Sequence, residues 1–408
     1  MNALNGLILC QNIFDENFLI ELNFSTNDNE SAKVMASRLA TLIEIAERTG
    51  LSGDIYRSYI IYKLAHEPNL VSNTIERTGG NIGKSLLDAF KHDIEILFSG
   101  VKYFDSYYDF IQNYTPTVEN KSESFVELKS KIDNLREDDF NGIANAFIEH
   151  YKKYGCGDIA DYRAFRFDEV TKNLIGIKHF EKIRLEDLIG YAHQKELLTH
   201  NTNAFIERKP ANNVLLVGAR GTGKSSSVKA LVNENYSRGL RLVQLTKPQL
   251  KFLPELMETL RNFASKRFII FLDDLSFEES EAEYKYLKSS IEGGVESLPQ
   301  NVLIYATSNR RHLIRETWRD RAEGHDELYR DDSVNETISL SDRFGLIVQY
   351  YPPSQNEYLE IISHMLKKSG IELDAETLRI EGLRWEMSHS GRNGRTAQQF
   401  VKNYLGSK

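Results

Sequence analysis

A buried-strand pattern that runs directly into a glycine-rich loop constrains this chain more than any other feature. The apolar run Val214–Val217 leads into Gly218-Ala-Arg-Gly-Thr-Gly-Lys-Ser225, and helix-forming residues follow. Glycines in such a loop let the backbone approach a phosphate closely, with its N–H groups pointing inward. The N-terminus of the following helix adds partial positive charge. The sequence therefore predicts a strand, a phosphate-binding loop and a helix, in this order.

Two side chains at the end of the loop have the chemistry to act on a bound phosphate. Lys224 can reach the β- and γ-phosphates of a nucleotide, and the Ser225 hydroxyl can bind Mg²⁺. The predicted nucleotide-binding residues are Gly218, Ala219, Arg220, Gly221, Thr222, Gly223, Lys224, Ser225 and Ser226. A glycine-rich turn that binds nothing is the alternative, and the strand–loop–helix context argues against it.

Polar side chains also end two later strand patterns. Phe268–Leu272 is a run of five apolar residues followed by Asp273 and Asp274, and a later strand pattern ends at Asn309. The C-terminal ends of parallel strands meet ligands at one edge of a sheet. We predict that Asp273 holds Mg²⁺ through its water shell and that Asp274 orients and deprotonates an attacking water. Asn309 is predicted to bind the γ-phosphate or that water, with an ordinary strand-ending turn as the alternative.

The alternation of strand and helix patterns predicts the fold class. Strand patterns lie around residues 214, 242, 270, 304 and 348, with helical patterns between them. This order predicts an α/β fold with a doubly wound parallel sheet of five strands. Helical periodicity dominates the two ends of the chain. The predicted domains are a helical N-terminal domain at 1–165, a nucleotide-binding core at 166–353 and a helical lid at 354–408.

Composition bears on compartment and partners. Hydrophobic residues make up 41% and charged residues 27% of the chain, as in globular proteins, and the net charge of −8 gives no overall basic footprint for nucleic acid. Cys10 and Cys156 lie far apart, so no disulfide framework is expected and a reducing, cytoplasmic compartment is predicted. We expect no signal peptide and no membrane span, because the sequence pattern of neither occurs, and we therefore expect no membrane partner.

Two local clusters leave other binding activities open. Arginines follow Asn309 closely, at Arg310, Arg311, Arg315, Arg319 and Arg321. Such a charge run favours a solvated face, with a nucleic-acid-binding patch as the alternative. Aromatic side chains gather at Tyr103, Phe104, Tyr107, Tyr108, Phe110 and Tyr114. Their helical spacing favours core packing over a stacking surface for bases.

The order of these motifs resembles that of the AAA+ ATPases over about 185–408. Phe271-Leu-Asp-Asp-Leu275 and Leu340-Ser-Asp-Arg-Phe-Gly345 are similar to motifs of bacterial replication initiators and helicase loaders. A closer resemblance is to a bacterial family of predicted ATPases, domain of unknown function 815. Its motifs are matched by Arg184-Leu-Glu-Asp-Leu-Ile-Gly190, Pro210-Ala-Asn-Asn-Val-Leu-Leu-Val-Gly218, Asp273-Asp-Leu-Ser-Phe-Glu278, Tyr305-Ala-Thr-Ser-Asn-Arg-Arg-His-Leu313 and Leu340-Ser-Asp-Arg-Phe-Gly-Leu346.

The resemblance implies a role for each matching position. Lys224 and Ser225 correspond to the Walker A motif, and Asp273 and Asp274 to the Walker B motif. Asn309 corresponds to sensor 1, Arg343 to the arginine finger and Arg395 to sensor 2, with Arg392 as the alternative to Arg395. Ahead of the first core strand, Ile189, Gly190 and Tyr191 are predicted to lie against adenine, because such pockets are apolar with a few polar points. An inter-domain strut is the alternative for this segment.

The implied function is that of a Mg·ATP-dependent ATPase that yields ADP and phosphate. If Arg343 acts on a neighbouring subunit, the chain works as a homo-oligomer, a ring or a filament-like assembly. Hydrolysis would then remodel a protein partner bound through residues 1–165. Asp274 stands where glutamate is commoner, which implies slow turnover. The alternatives are a nucleic-acid-associated loader or initiator-like factor that uses Arg310–Arg321, and an ATP-dependent scaffold that does not hydrolyse.

Overall fold

The computed structural model of this chain describes residues 6–11, 28–99, 109–277, 282–292, 299–309, 343–389 and 391–407. Its contacts form two compact units. The helical unit comprises the residues up to Tyr162 together with Ser237–Gly239 and Asn262–Lys266, and the sheet unit comprises the rest. The predicted division at 1–165, 166–353 and 354–408 stays a prediction.

The helical unit is built from α-helices whose apolar faces meet in one core. In its described residues these are α1 (Asp28–Thr49), α2 (Ile55–His66), α3 (Leu70–Arg77), α4 (Lys84–Ser99), α5 (Asp109–Gln112), α6 (Glu123–Asp133), α7 (Phe140–Lys153) and α8 (Asp158–Asp161). The core includes the buried side chains of Ile60, Leu64, Phe90, Phe147 and Tyr151. Side-chain caps fix where helices begin: Asp54 accepts from the Arg57 N–H, and Asn69 and Ser72 form a capping box.

Most of the aromatic cluster predicted from the sequence lies outside the described residues. Tyr103, Phe104, Tyr107 and Tyr108 fall there. Tyr114 is described, and its backbone forms an antiparallel bridge with Gly53 while its hydroxyl donates to Glu47. Within this part of the cluster, Tyr114 therefore serves a local structural contact.

A half-buried ion pair joins three segments of the helical unit. The His66 Nε2 atom lies 2.9 Å from Asp161 Oδ2, and the hydroxyls of Ser122 and Ser124 donate to Asp161 Oδ1 at 2.6 and 3.2 Å. Burial lowers the pKa of His66, but the hydrogen bond and charge of Asp161 outweigh it and raise the pKa above its ordinary value. The pKa of Asp161 is lowered in turn, since His66 and the two hydroxyls outweigh its burial.

The sheet unit contains a seven-stranded sheet in the described part of the chain. The strands are β1 (Ala164–Phe167), β2 (Leu174–Gly176), β3 (Val214–Gly218), β4 (Leu240–Leu245), β5 (Arg267–Leu272), β6 (Val302–Ser308) and β7 (Leu346–Tyr350). Their order is β2-β1-β4-β5-β6-β3-β7, and every pair is parallel except β1 with β2. The predicted α/β fold with a parallel sheet is thus confirmed, with two strands more than the five predicted.

The helices of the sheet unit cover its strands and build a C-terminal cluster. They are α9 (Ala192–Ile206), α10 (Lys224–Asn235), α11 (Leu253–Arg261), α12 (Ala282–Glu292), α13 (Gln355–Lys368), α14 (Ala375–Met387) and α15 (Gly394–Gly406). All six residues of β5 are buried, and the five that follow Arg267 are apolar, as in a strand covered on both faces. The last three helices pack around Tyr358, Ile362 and Phe400. Among the described residues, no helix combines the length and apolarity needed to cross a lipid bilayer.

We expect the His66–Asp161 pair to make the unfolding free energy depend on pH. A histidine with a raised pKa contributes stability that is complete below its unfolded pKa, near 6.5, and is lost as pH rises through its folded pKa. Replacing Asp161 by asparagine should therefore remove about 1 kcal/mol at pH 6 and little at pH 9, as measured by urea unfolding. Asp138→Asn, at an exposed carboxylate of the same unit, is the control. An equal loss at both pH values would contradict the assignment.

Candidate functional site

Steric limits at two glycines shape the loop between β3 and α10. Gly218 has φ +145° and Gly221 has φ +75°, values that favour glycine. A Cβ atom at Gly218 would lie 2.0 Å from the Tyr350 carbonyl oxygen. A Cβ atom at Gly221 would lie 2.5 Å from Asn393 Oδ1. The loop is therefore closely packed on both sides, against β7 and against the segment that precedes α15.

Lys224 is folded back inside this loop. Its side chain is 6% exposed, and its Nζ atom donates to the carbonyl oxygens of Gly218 and Ala219 at 2.7 Å each. A third bond, of 3.2 Å, reaches Asn309 Oδ1. Burial lowers the pKa of Lys224, although the carboxylate of Asp274 partly opposes that effect. An ammonium group is thus held at the position where the loop's N–H groups would meet a phosphate.

The carboxylate of Asp273 links the ends of three strands. Its Oδ1 atom accepts hydrogen bonds from the Ser225 and Thr307 hydroxyls, each at 2.6 Å. The Thr307 hydroxyl also accepts from the backbone N–H of Asp274 at 2.9 Å. These residues follow β3, follow β5 and lie within β6, so the parallel sheet brings them to one edge.

Asp274, the second carboxylate, lies in an unusual backbone conformation. It has φ +53°, which turns it out of the strand direction. Asn309 Nδ2 donates to its Oδ1 atom, and Arg220 Nη2 lies 3.6 Å from its Oδ2 atom. The carboxylate is 59% exposed, so it remains accessible to water and to a ligand. Such a carboxylate is suited to accept a proton from a bound water.

The oxygen atoms around Asp273 fit a Mg²⁺ ion. Mg²⁺ prefers oxygen ligands and is usually held by one or two protein groups, with phosphate oxygens and water completing its shell. Ser225 supplies a hydroxyl and Asp273 a carboxylate, and they already lie in contact. The described residues hold no group of three or more His, Cys, Asp or Glu side chains able to enclose a metal alone. The site therefore fits a metal that arrives with a phosphate.

These groups open into one cleft of about 820 Å³, a size typical of ligand sites. Its lining contains most of the predicted nucleotide-binding and catalytic positions: Ile189, Tyr191, Arg220, Gly221, Thr222, Gly223, Lys224, Ser225, Ser226, Asp273, Asp274, Asn309 and Arg395. Gly218 and Ala219 take part through their carbonyl bonds to Lys224. Gly190 is described but does not line the cleft; a Cβ atom there would lie 3.2 Å from Glu357.

The three predicted arginine positions differ in location. Arg395, at the start of α15, lines the cleft. Arg392 does not, and its Nε atom donates to Glu386 at 2.9 Å. Arg343, just before β7, is described and lies outside the lining of the cleft. The run Arg310–Arg321 lies outside the described residues.

Several cleft residues were not predicted from the sequence. Thr307 lies within the predicted strand, where its polar character is the one available signal. Asp187, His364 and Lys368 also line the cleft. They come from a short 3₁₀ turn and from α13, so only the folded chain brings them together.

Comparison with family models finds one match over the sheet unit. A model of the family described as "Protein of unknown function (DUF815)" matches residues 160–408, more than half of the chain. A search of curated proteins finds no match.

Comparison with solved structures finds similar folds at low identity. The RuvB Holliday junction branch migration motor of Thermotoga maritima is 18% identical, with a TM-score of 0.37 over 55% of this chain and 64% of that chain. PCH-2 of C. elegans is 17% identical, with a TM-score of 0.38 over 55% of this chain and 65% of that chain. AMPPCP-bound DnaA from Aquifex aeolicus is 18% identical, with a TM-score of 0.38 over 56% of this chain and 67% of that chain. This chain thus spans less than two thirds of the RuvB chain. At these values the similarity carries no information about activity.

We expect Thr307→Val to weaken the metal site. Valine keeps the shape of threonine but removes the hydroxyl that bonds Asp273 and the Asp274 backbone. Loss of such a supporting contact typically costs about 10- to 100-fold in metal affinity or activity. The measurement is the Mg²⁺ concentration needed for half-maximal binding of a nucleoside triphosphate, with Thr307→Ser, which keeps the hydroxyl, as the matched control. An unchanged Mg²⁺ requirement in Thr307→Val would contradict the role.

Proposed function

The chain belongs to the DUF815 family, and from the geometry of its cleft we propose that it is a Mg·ATP-dependent ATPase of the AAA+ type. One observation carries the proposal: Lys224, Ser225, Asp273, Asp274 and Asn309 meet in a single cleft at the C-terminal edge of a parallel sheet. These are the charges and donors that transfer of a phosphoryl group to water requires. The preference for adenine comes from the family resemblance of the motifs.

The loop supplies the phosphate-binding groups. When a triphosphate enters, we expect Lys224 to exchange its bonds to the Gly218 and Ala219 carbonyls for bonds to the β- and γ-phosphate oxygens. The first N–H groups of α10 have no partners within the helix and point toward the same phosphates. Arg395, at the start of α15, also lines the cleft and adds positive charge. We therefore expect the triphosphate to lie against the loop, within reach of the start of α15.

Ser225 and Asp273 are the residues that would hold Mg²⁺. A bound Mg²⁺ ion neutralises charge that builds up on the phosphate oxygens during transfer. Thr307 keeps Asp273 oriented through its 2.6 Å hydrogen bond. This contact leaves the second carboxylate oxygen of Asp273 available for water molecules of the metal shell.

Asp274 is the proposed general base of the reaction. A water oxygen attacks the γ-phosphorus, the bond from that phosphorus to the ADP oxygen breaks, and the water proton passes to the Asp274 carboxylate. Asn309 holds Asp274 and can orient the water or the γ-phosphate. Because aspartate is shorter than glutamate, we propose slow turnover.

The position of Arg343 supports an oligomeric ATPase. In the described residues Arg343 does not line the cleft of its own chain. We propose that it reaches the γ-phosphate bound by a neighbouring copy, in a ring or filament-like homo-oligomer.

Residues 1–165 would then bind the protein partner that is remodelled. The buried, free thiols of Cys10 and Cys156 agree with the reducing cytoplasm that we propose as its location.

The first test separates nucleotide binding from hydrolysis. Asp274→Asn should keep ATP affinity within about twofold but lower turnover by about 10²- to 10⁴-fold, since a general base contributes that much. Lys224→Ala should lose both. Asp138→Asn, the same substitution at an exposed position, should match the wild type. Steady-state phosphate release and equilibrium ATP binding are the two measurements. Wild-type turnover in Asp274→Asn would contradict the assignment of the base.

The second test concerns Arg343. Turnover per subunit of the wild type should climb with protein concentration, because each cleft needs a neighbour. Arg343→Ala should lower turnover by about 10³-fold or more and remove this climb, with ATP affinity kept. Arg136→Ala is the control, since Arg136 is 84% exposed and does not line the cleft. If turnover is concentration-independent from the nanomolar range upward and unaffected by Arg343→Ala, the finger assignment is wrong.

A further inference from the structure

Both carboxylate oxygens of the proposed base lie beside donors of the protein itself. Asn309 Nδ2 donates to Asp274 Oδ1, and Arg220 Nη2 lies 3.6 Å from Asp274 Oδ2. A general base accepts its proton from a water that lies within hydrogen-bond reach. In this arrangement a guanidinium group stands beside the oxygen that Asn309 does not bond. Arg220 and an attacking water would therefore compete for the same oxygen of Asp274.

Arg220 belongs to the phosphate-binding loop, and its side chain lines the cleft. Such a loop binds phosphate through its backbone N–H groups, so the contact with Asp274 gives the Arg220 side chain a role of its own. Lys224 Nζ donates to Asn309 Oδ1 at 3.2 Å, and Asn309 in turn donates to Asp274. Arg220 extends this series of contacts at the other oxygen of Asp274. Since Lys224 and Asn309 are both expected to contact the γ-phosphate, the series places Arg220 near that phosphate.

The contact between Arg220 and Asp274 is easily exchanged. The Arg220 side chain is 75% exposed, and ion pairs between groups this exposed contribute little to stability. The 3.6 Å between the two groups is also longer than a hydrogen bond. A phosphate offers several acceptor oxygens and can take two parallel N–H bonds from a guanidinium group, which strengthens binding. A γ-phosphate in the cleft would therefore be a better partner for Arg220 than Asp274 is.

We propose that Arg220 is a catalytic residue that turns from Asp274 to the γ-phosphate of ATP, and that this movement frees the base for its water. The proposal rests on the proposed function, because that function supplies the γ-phosphate. ADP lacks this phosphate, so Arg220 stays beside Asp274 when ADP is bound. The side chain thus distinguishes ATP from ADP. It acts within its own chain, whereas Arg343 is proposed to act on a neighbour.

The exchange of partners would supply charge where the reaction needs it. The water oxygen attacks the γ-phosphorus, the bond from that phosphorus to the ADP oxygen breaks, and the water proton passes to Asp274 Oδ2, the oxygen that Arg220 has left. Arg220 then lies against the γ-phosphate oxygens and stabilises the negative charge that they carry in the transition state. One movement therefore acts on both the proton acceptor and the transferred group.

The test compares two ligands that differ in the γ-phosphate: ADP and a non-hydrolysable ATP analogue, each with Mg²⁺. Titration calorimetry measures their affinities for the full chain as wild type, Arg220→Ala, Arg220→Lys and Arg136→Ala. Arg136 is exposed and does not line the cleft, so it is the control for loss of an arginine. Thermal unfolding of each variant confirms that it folds, and turnover is measured at saturating ATP.

We expect Arg220→Ala to weaken binding of the analogue about 10- to 100-fold, the loss of a charged hydrogen bond, and to leave ADP binding unchanged. A loop that had merely lost its shape would bind both ligands more weakly, since both place a β-phosphate on it. Turnover at saturating ATP should fall about 10²-fold or more, because a transition-state contact is lost. Arg220→Lys keeps the charge but not the planar fork, so it should recover part of the preference for the analogue.

Crystal structures of the two complexes show the movement itself. With ADP, the Arg220 guanidinium should stay beside Asp274 Oδ2. With the analogue, it should lie on a γ-phosphate oxygen, and Asp274 Oδ2 should face a water. A guanidinium that stays beside Asp274 in both complexes would overturn the proposal.

The binding results separate this proposal from the proposed function. If Arg220→Ala binds both ligands and turns over ATP as the wild type does, Arg220 has no part in the reaction and the proposed function stands. If the variant binds both ligands equally more weakly, Arg220 only supports the shape of the loop and the proposal is wrong. If the wild type binds neither ligand, the proposal and the proposed function both fail.

Discussion

One carboxylate oxygen determines the geometry of the cleft. Asp273 Oδ1 accepts the hydroxyls of Ser225 and Thr307, so a single atom ties together the segments that follow β3 and β5 and the end of β6. The sheet order puts β6 between β5 and β3, which brings these groups to one edge. Because the flanking strands are buried, this edge has little freedom to shift. The loop, the proposed metal ligands and the proposed base then stand in fixed relation.

The same edge concentrates opposite charges in a partly enclosed space. The Lys224 ammonium, the Asp273 and Asp274 carboxylates and the Arg220 and Arg395 guanidinium groups all line the cleft. Lys224 bonds to loop carbonyls, Arg220 lies 3.6 Å from Asp274, and Asp273 accepts the Ser225 and Thr307 hydroxyls. A Mg²⁺-bound triphosphate would replace these internal contacts with stronger charge-assisted ones. We therefore propose that a nucleotide would bind by taking the place of these internal partners.

The C-terminal helices contact the loop directly. The Gly394 N–H donates to the Gly221 carbonyl oxygen at 2.8 Å, and Asn393 lies against Gly221. Asn393 also caps α15 by accepting from the Thr396 N–H. A ligand held by the loop would thus lie within reach of the start of α15. This link gives a physical basis for the proposed coupling between a bound nucleotide and the C-terminal helices.

Much of this site could be predicted from sequence patterns, because a buried parallel strand and the polar residues at its end are both local features. Val214–Val217 and Phe268–Leu272 are continuous apolar runs, and the glycine loop follows the first of them directly. Strands β1 and β2 were missed since they have only four and three residues and expose Arg166 and Ile175.

Contacts between segments that lie far apart in the sequence could not be predicted from local patterns. Asp187 and His364 lie in unrelated stretches of the sequence, and only the packing of α13 beside the loop brings them into one cleft. The role of Thr307 could not be predicted from its own stretch of sequence. Its hydroxyl bonds Asp273, and the order of the strands is what brings these two residues together.

The most direct test is a crystal structure of the chain with Mg²⁺ and a non-hydrolysable ATP analogue. We predict that the β- and γ-phosphates lie on the backbone N–H groups of 221–225, with Lys224 Nζ moved from the Gly218 carbonyl to a phosphate oxygen. We also predict Mg²⁺ between the Ser225 hydroxyl and the Asp273 carboxylate. An analogue bound elsewhere, or crystals soaked at millimolar concentration in which Lys224 keeps its carbonyl bonds and the loop stays empty, would contradict it.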